Sequence, residues 1–438
     1  MQAKKDSHIN IFGYGVTMKP LVKFLNTLGL SVRIYDDTFT HTTNDENGNT
    51  LLPSSAFDTN TTLPHNLTSL NEKDLSNVAL SIISPGIAPT HRLASAKNLI
   101  SEYDFFYHLL QSSKEKKPRS VWISGTNGKT STTEMTTLLL DSLNARAGGN
   151  IGTPLSELYM DKTPLWILET SSFSLHYTHF AAPEIYALLP IRQDHITWHG
   201  SFENYVSDKL SVLGRMSKES SAILPKELKN HTLTQSYQGK VYFYADSKDL
   251  AKHFGFDSNA LVFKEPFLLD SLIALAIAKI ISNEVRYELI NSFKIGAHRI
   301  EEFRDSAHRL WVDDSKGTNI DATIEAVRRY DNLRLILGGD DKGADLEPLF
   351  AFMQQKINNG AKITIFAIGS NEAKIARLSQ QYGIACEICT HLQNAVESIK
   401  KVLKNDEVSL LSPAAASLDQ FSSYKERGEL FKQYALAK

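Results

Sequence analysis

The sequence predicts an α/β protein of parallel sheets, divided into about three domains. Three observations lead there. Short apolar runs alternate with longer stretches of helical periodicity along the whole chain, which is the pattern of βαβ units. At 438 residues the chain is close to three times the roughly 150 residues of an ordinary domain. Two glycine-rich turns each follow an apolar run and open a helical pattern, the place where α/β sheets hold anions.

In chain order the expected strands are His8–Phe12, Val32–Tyr35, Val78–Ile83, Val121–Ser124, Leu165–Leu168, Ile185–Leu189, Leu310–Val312, Leu333–Leu337, Ile363–Ile368 and Val408–Leu411. No internal repeat is detectable. The polar segment Ser112–Pro118 feeds a new strand, so a first unit ends near residue 100. A second break falls at Lys294–His298, after an apolar helical pattern and before Leu310-Trp311-Val312. The expected domains are therefore 1–100, 101–297 and 298–438.

Composition narrows the function. Hydrophobic residues at 42% and charged residues at 22% are ordinary globular usage, which sets aside disordered and fibrous chains. Lys+Arg 47 against Asp+Glu 49 leaves a net charge of −2, so no basic field draws nucleic acid or an anionic membrane. An anionic ligand must be held locally. Met1–Ile9 is charged and short, without the apolar core of a signal peptide. The longest apolar stretch, Phe267–Ile281, carries Asp270 and Lys279 and falls short of the ~20 residues that span a bilayer. The expectation is a cytoplasmic protein with no membrane insertion. The only cysteines, Cys386 and Cys389, cannot supply the four ligands of a zinc site. They are two incidental thiols, or a redox pair that would need a helix N-terminus to lower a thiol pKa.

The strongest chemical motif is Gly125-Thr126-Asn127-Gly128-Lys129-Thr130-Ser131, between the strand Val121–Ser124 and the helical pattern Thr132–Leu143. Backbone N–H groups of such a loop bind phosphate oxygens, a lysine reaches the terminal phosphates, and the Thr130 hydroxyl suits Mg²⁺. Ile123 stands where the longer phosphate-loop pattern has glycine, so this is a shortened variant. The alternative is an ordinary strand–helix turn. A second turn, Gly13-Tyr14-Gly15-Val16-Thr17-Met18, is followed about 20 residues later by Asp36, placed to meet a ribose hydroxyl. Met18 replaces the third glycine of the dinucleotide pattern, which argues against nicotinamide and leaves either another nucleotide diphosphate or a plain turn. Glu169 ends one expected strand, Asp194-His195 follow another, and Lys209 comes one short helix later. Taken singly, Glu169 and His195 are ordinary strand-end polar residues. Polar clusters recur at Asp314–Asn319 and Gly338–Lys342.

Together with Ser84-Pro85-Gly86, Gly149–Gly152, Glu169–Phe173, His298-Arg299 and Leu411–Phe421, these motifs resemble the ATP-dependent Mur ligases over nearly the whole chain. The last segment, with Tyr424 and Arg427-Gly428 behind it, is similar to the D-glutamate-adding members. The resemblance implies a Rossmann-like N-terminal domain for the uridine diphosphate, a central P-loop ATPase-type parallel sheet domain and a Rossmann-like C-terminal domain that binds the amino acid. It implies a monomer whose partners are three small molecules: UDP-N-acetylmuramoyl-L-alanine, D-glutamate and ATP. Two Mg²⁺ sites are implied, with Thr130 and Glu169 at one and His195 and Lys209 at the other, Lys209 as its carbamate because an ammonium cannot ligate a cation. Lys129, His195, Lys209 and Lys342 are the implied catalytic residues. The loop Gly125–Ser131 with Arg299, Asp314 and Lys316 is implied to hold ATP. Val16, Thr17, Asp36, Ser84 and Asn150 are implied for the UDP-sugar, and Thr318, Lys342, Ser417 and Tyr424 for D-glutamate. Two segments depart from the family. Ile191–His195 replaces Asn-x-Thr-x-Asp-His, and Lys264–Asp270 replaces a Gly-x-His-Asn-x-x-Asn nucleotide contact, with Phe267 and Asp270 at the asparagine positions. Phe267 is then expected either to stack on adenine or to sit in the core.

Overall fold

The computed structural model describes residues 5–58, 70, 72–73, 75–97 and 99–437. It divides into two compact units, Met1–Phe293 and Lys294–Lys438.

The first unit holds two six-stranded sheets. One runs in the order Thr43–Asn44, Thr50–Pro53, Leu30–Asp36, Lys5–Phe12, Leu80–Ile83, Leu99–Ile100, parallel except for its first pair. The other is parallel throughout, in the order Lys240–Tyr244, Ser221–Pro225, Ile185–Leu188, Arg119–Ser124, Leu165–Glu169, Ala145–Gly149. In each sheet the strand before a glycine-rich turn lies at the point where the strand order reverses. That is where a crevice opens beyond the carboxyl ends of an open parallel sheet.

Alternation of side chains explains why the two sheets form one unit. Val121, Ile123, Ile167 and Ala187 face a core with Met135 and the apolar stretch Leu272–Ile277. Trp122, Leu168, Tyr186 and Leu188 face the opposite way, into a core shared with Ile9, Ile11, Val32, Ile34 and Ile82 of the first sheet. Strands covered on both faces read as unbroken apolar runs. The helix Phe267–Ser282 is apolar nearly all round because it is fully buried from Leu272 to Ile277. Among the described residues, no helix is long and apolar enough to cross a membrane.

One buried carboxylate fixes a loop in this unit. Asp104, on the helix Glu102–Ser112, accepts hydrogen bonds of 2.8 Å from the backbone N–H groups of His179, Phe180 and Ala181. Those three donors belong to the irregular chain just after the helix Ser172–His176.

The second unit is a six-stranded sheet ordered Glu301–Arg304, Leu310–Asp313, Val408–Leu411, Asn332–Leu337, Lys362–Ile368, Ala385–Thr390, antiparallel only at its first pair. Both cysteines are free and lie on the edge strand Ala385–Thr390 rather than at a helix start. Burial pushes both thiols up, that of Cys389 to about 12. A redox pair needs an accessible thiolate, and these surroundings disfavour one.

Candidate active site

The loop 125–128 leaves the strand Arg119–Ser124 and enters the helix Lys129–Leu139, with Gly128 as its N-cap at φ 82. Only glycine fits there: besides the left-handed backbone, a Cβ would collide with the Asp270 carboxylate and the Leu189 side chain. Thr126 is buried and ties the loop to the end of a neighbouring strand. Its Oγ1 accepts from Arg192 N at 2.9 Å, donates to Arg192 O at 3.1 Å and lies 3.1 Å from Tyr205 OH. Asn127 is exposed, Thr130 half-buried and Ser131 buried. The Lys129 ammonium folds back over its own loop, donating to Gly125 O at 3.0 Å and Thr126 O at 2.7 Å.

Two predicted residues join this loop. Lys209, 1% exposed, donates to Ser124 Oγ at 3.2 Å and Gly125 O at 3.0 Å, with its Nζ 4.7 Å from the centre of the Tyr205 ring. Burial, helped by the Lys129 cation, pulls its amine well below the usual lysine range. Carbamate formation requires a neutral amine, and this environment favours one. Glu169, 2% exposed, receives Asn150 Nδ2 on Oε1 at 2.9 Å, while its Oε2 is buried without a hydrogen-bond partner. An orphaned carboxylate oxygen in such a place is costly unless something completes it, and a carboxylate oxygen suits a hard cation such as Mg²⁺. His195 stands at φ 54 with its ring partly exposed, its pKa lowered by burial and then by Lys129 and Lys209 against the opposing pull of Asp194. The orphaned Glu169 oxygen therefore fits a divalent cation. Among the described residues, the one His/Cys/Asp/Glu trio with ligand atoms within 4.8 Å of one another is His298, Glu301 and Asp313, in the other unit. There His298 Nδ1 already meets Asp313 at 2.7 Å and Glu301 meets Lys432 at 2.6 Å.

At the first turn, Gly13 N donates to Tyr35 O and Ser84 N to Phe12 O, each at 2.8 Å, so three strand ends converge. A Cβ on Gly13 would lie 2.8 Å from the Ser84 Cβ. Asp36 accepts from Tyr14 N at 2.6 Å and from Thr38 N and Oγ1 at 2.9 and 2.6 Å, bracing the turn. Thr17 directly precedes the helix Met18–Thr27 without a side-chain capping bond, and Val16 is 91% exposed. Asn150 is bonded to Glu169 through backbone and side chain.

In the second unit the predicted residues gather at the carboxyl ends of the parallel strands. Asp314 is buried, accepts from Ser412 Oγ at 2.6 Å and Ile300 N at 3.2 Å, and burial raises its carboxyl to about 7. Lys316 Nζ lies 5.7 Å from the Tyr424 ring centre. Thr318 and Lys342 are exposed, Ser417 is buried and Tyr424 half-buried. A bridge between Asp340 and Ala416 links the Lys342 turn to the Ser417 segment. The sequence pointed to Arg427 only as part of a motif, yet this fully buried guanidinium bonds Ser315 Oγ and O and the carbonyls of Ala415 and Ala416. It joins two of the predicted loops. Phe267 is 6% exposed and packs as core, while Asp270 abuts Gly128. Nothing in the local sequence foretold that approach, because the two are far apart along the chain.

A glycine-rich loop at the switch point of a parallel sheet, with a buried glutamate and a buried lysine beside it, is the arrangement of a nucleotide-dependent enzyme. Residues 123–261 match the model of the Mur ligase middle domain. A UDP-N-acetylmuramoylalanine–D-glutamate ligase of Campylobacter jejuni is 49% identical over 97% of this chain and 98% of its own. One of Helicobacter pylori is 46% identical over 98% and 99%. The chain belongs to this family of D-glutamate-adding Mur ligases. Solved structures show the same fold: a MurF ligase of Thermotoga maritima in complex with ADP at TM-score 0.56 and 14% identity, covering 83% of this chain and 90% of its own. The UDP-N-acetylmuramate-alanine ligase MurC of the same organism gives 0.52 and 14%, covering 97% and 98%.

Proposed function

We propose that this ATP-dependent, amide-forming ligase joins D-glutamate to the L-alanyl carboxylate of UDP-N-acetylmuramoyl-L-alanine for peptidoglycan. The observation that carries the reading is the pair of buried side chains Glu169 and Lys209 beside the half-buried Lys129 of the loop 125–131. The γ-phosphoryl group of ATP passes to the alanyl carboxylate, releasing ADP. The neutral D-glutamate amine then attacks the acyl carbon, the carbon–oxygen bond to phosphate breaks, and the nitrogen gives up a proton, which leaves with phosphate or solvent, as the amide forms. Both steps bring anions together, so the gain comes from fixed cations aimed at the developing charge. Lys129 and the N–H groups of Gly125–Ser131 hold the β- and γ-phosphates. Thr130 with Glu169, and His195 with carbamylated Lys209, would hold two Mg²⁺ ions, which when bound offset phosphate charge.

Val16, Thr17, Asp36, Ser84 and Asn150 are assigned to the UDP-sugar. In the second unit Arg299, Asp314 and Lys316 are assigned to the nucleotide, and Thr318, Lys342, Ser417 and Tyr424 to D-glutamate, for which Lys342 supplies the cation that a second carboxylate needs. The functional domains are taken as 1–100, 101–297 and 298–438, and the enzyme as a cytoplasmic monomer. The near-neutral net charge of −2 supports small-molecule partners over nucleic acid.

Phosphate release should require both acceptor and amino acid, and D-glutamate should support it where L-glutamate, L-alanine and lysine do not. A coupled phosphate assay over that panel checks this, and equal rates with L-alanine or a diamino acid would refute it. A second expectation follows from Lys264–Asp270. With Phe267 in the core, no amide pairs with the adenine edge from this segment, so the preference in kcat/KM for ATP over GTP should stay below roughly 10⁴, the range reached by sites built to hydrogen-bond a substrate. A larger preference would mean that other residues read the base.

A further inference from the structure

Four side chains that the proposed reaction leaves unused form one hydrogen-bonded chain. Ser172 Oγ lies 3.0 Å from His199 Nε2, His199 Nδ1 lies 2.7 Å from Asp208 Oδ2, and Asp208 Oδ1 lies 3.0 Å from His176 Nδ1. The His199 side chain is wholly covered and that of Asp208 is 19% exposed, while the outer His176 is 31% exposed.

Each link stands beside a different candidate ligand. Ser172 comes three residues after Glu169, at the start of the helix Ser172–His176. His199 closes the turn Ile196–His199 that His195 caps. Asp208 precedes Lys209 on the helix Phe202–Leu210. The Phe173 ring fills the space among them, stacked on His199 at 5.5 Å and 15° and edge-on to His195 at 4.7 Å.

The order hydroxyl, imidazole, carboxylate is that of a nucleophilic triad, but Ser172 is 3% exposed and its oxygen is closed to a substrate. A mechanical role fits better. Helical pieces of four and five residues have almost no stability of their own, so their placement must come from tertiary bonds. A half-buried carboxylate held by two imidazoles is a demanding one, because removing either partner leaves charge poorly matched.

We propose that the Ser172–His199–Asp208–His176 chain is a positioning device that keeps the segments bearing Glu169, His195 and Lys209 in register. The proposal rests on the ligand assignment under Proposed function. His199→Phe retains the ring stack and deletes two bonds. His176→Leu deletes the outer bond alone, at a site open enough to tolerate it, and in His176→Asn the amide can donate to Asp208 where Nδ1 did.

The readouts are the Mg²⁺ concentration for half-maximal activity, the KM for D-glutamate, and the ¹³C carbamate signal of resting enzyme equilibrated with ¹³C-bicarbonate without nucleotide. His199→Phe should need at least tenfold more Mg²⁺ and His176→Leu about threefold more, both with weakened carbamate signals and a KM for D-glutamate within twofold of wild type. His176→Asn should restore the wild-type values. If the two deletions lower only the melting temperature, leaving Mg²⁺ requirement and carbamate signal unchanged, the proposal is overturned. Labelling of Ser172 by a fluorophosphonate would also overturn it, in favour of a nucleophile. Should His199→Phe not fold, the two His176 variants decide alone. A wild-type enzyme without a carbamate signal would refute the Lys209 assignment itself, a result distinct from unchanged variants.

Discussion

Lys129→Ala should lower kcat by 10²–10³. The ammonium lies on the phosphate loop itself, 2.7 Å from Thr126 O and 3.0 Å from Gly125 O, and burial lowers its pKa against the pull of Glu169 and Asp194. Losing one preorganised charge contact to a transition state costs about 3–4 kcal/mol. The two bonds from the ammonium to loop carbonyls are worth about 1.5–3 kcal/mol each at most, so a melting curve recorded beside the kinetics separates lost stability from lost catalysis. Retention of more than about a tenth of the rate would contradict the phosphate-loop assignment.

Lys209→Ala should be inactive, and small carboxylic acids that can occupy the vacated position should rescue part of the activity. A free lysine with a pKa near 10.4 is almost wholly charged at pH 7 and reacts poorly with CO₂. In this structure burial, followed by the nearby Lys129 charge, disfavours that charged form. The alanine variant leaves a gap next to Ser124 and Gly125, the partners of Nζ, and a carboxylate such as acetate supplies the oxygens that the carbamate would have offered. Steady-state rates with and without added acid check this. A fully active variant without additives would show that the residue is no ligand.

Much of the architecture was legible because central strands carry apolar residues on both faces. Arg119–Ser124, Leu165–Glu169, Ile185–Leu188 and Lys362–Ile368 all announce themselves this way. The edge strands Lys240–Tyr244 and Ala385–Thr390 were missed: both are partly exposed, and the second mixes polar and apolar residues. The glycine-lysine-threonine loop was legible since its chemistry is confined to seven consecutive residues. The His176–Asp208–His199 contacts were not: 32 and 9 residues separate the partners, and no local pattern marks a histidine that meets a carboxylate only after three short helices pack. Arg427 escaped for the same reason, since its partners lie up to 112 residues away.

The core shared by the first two sheets also constrains inheritance. Tyr186 and Leu188 on one sheet and Ile9 and Ile34 on the other contribute to a single apolar mass, so neither surface can drift without the other following. A lineage acquiring a new acceptor specificity could not import a foreign N-terminal sheet as a ready-made cassette, for the imported underside would have to match Trp122 and Trp166. Change is channelled instead into the turns at the strand ends, where Val16 projects into solvent and substitutions leave the joint undisturbed.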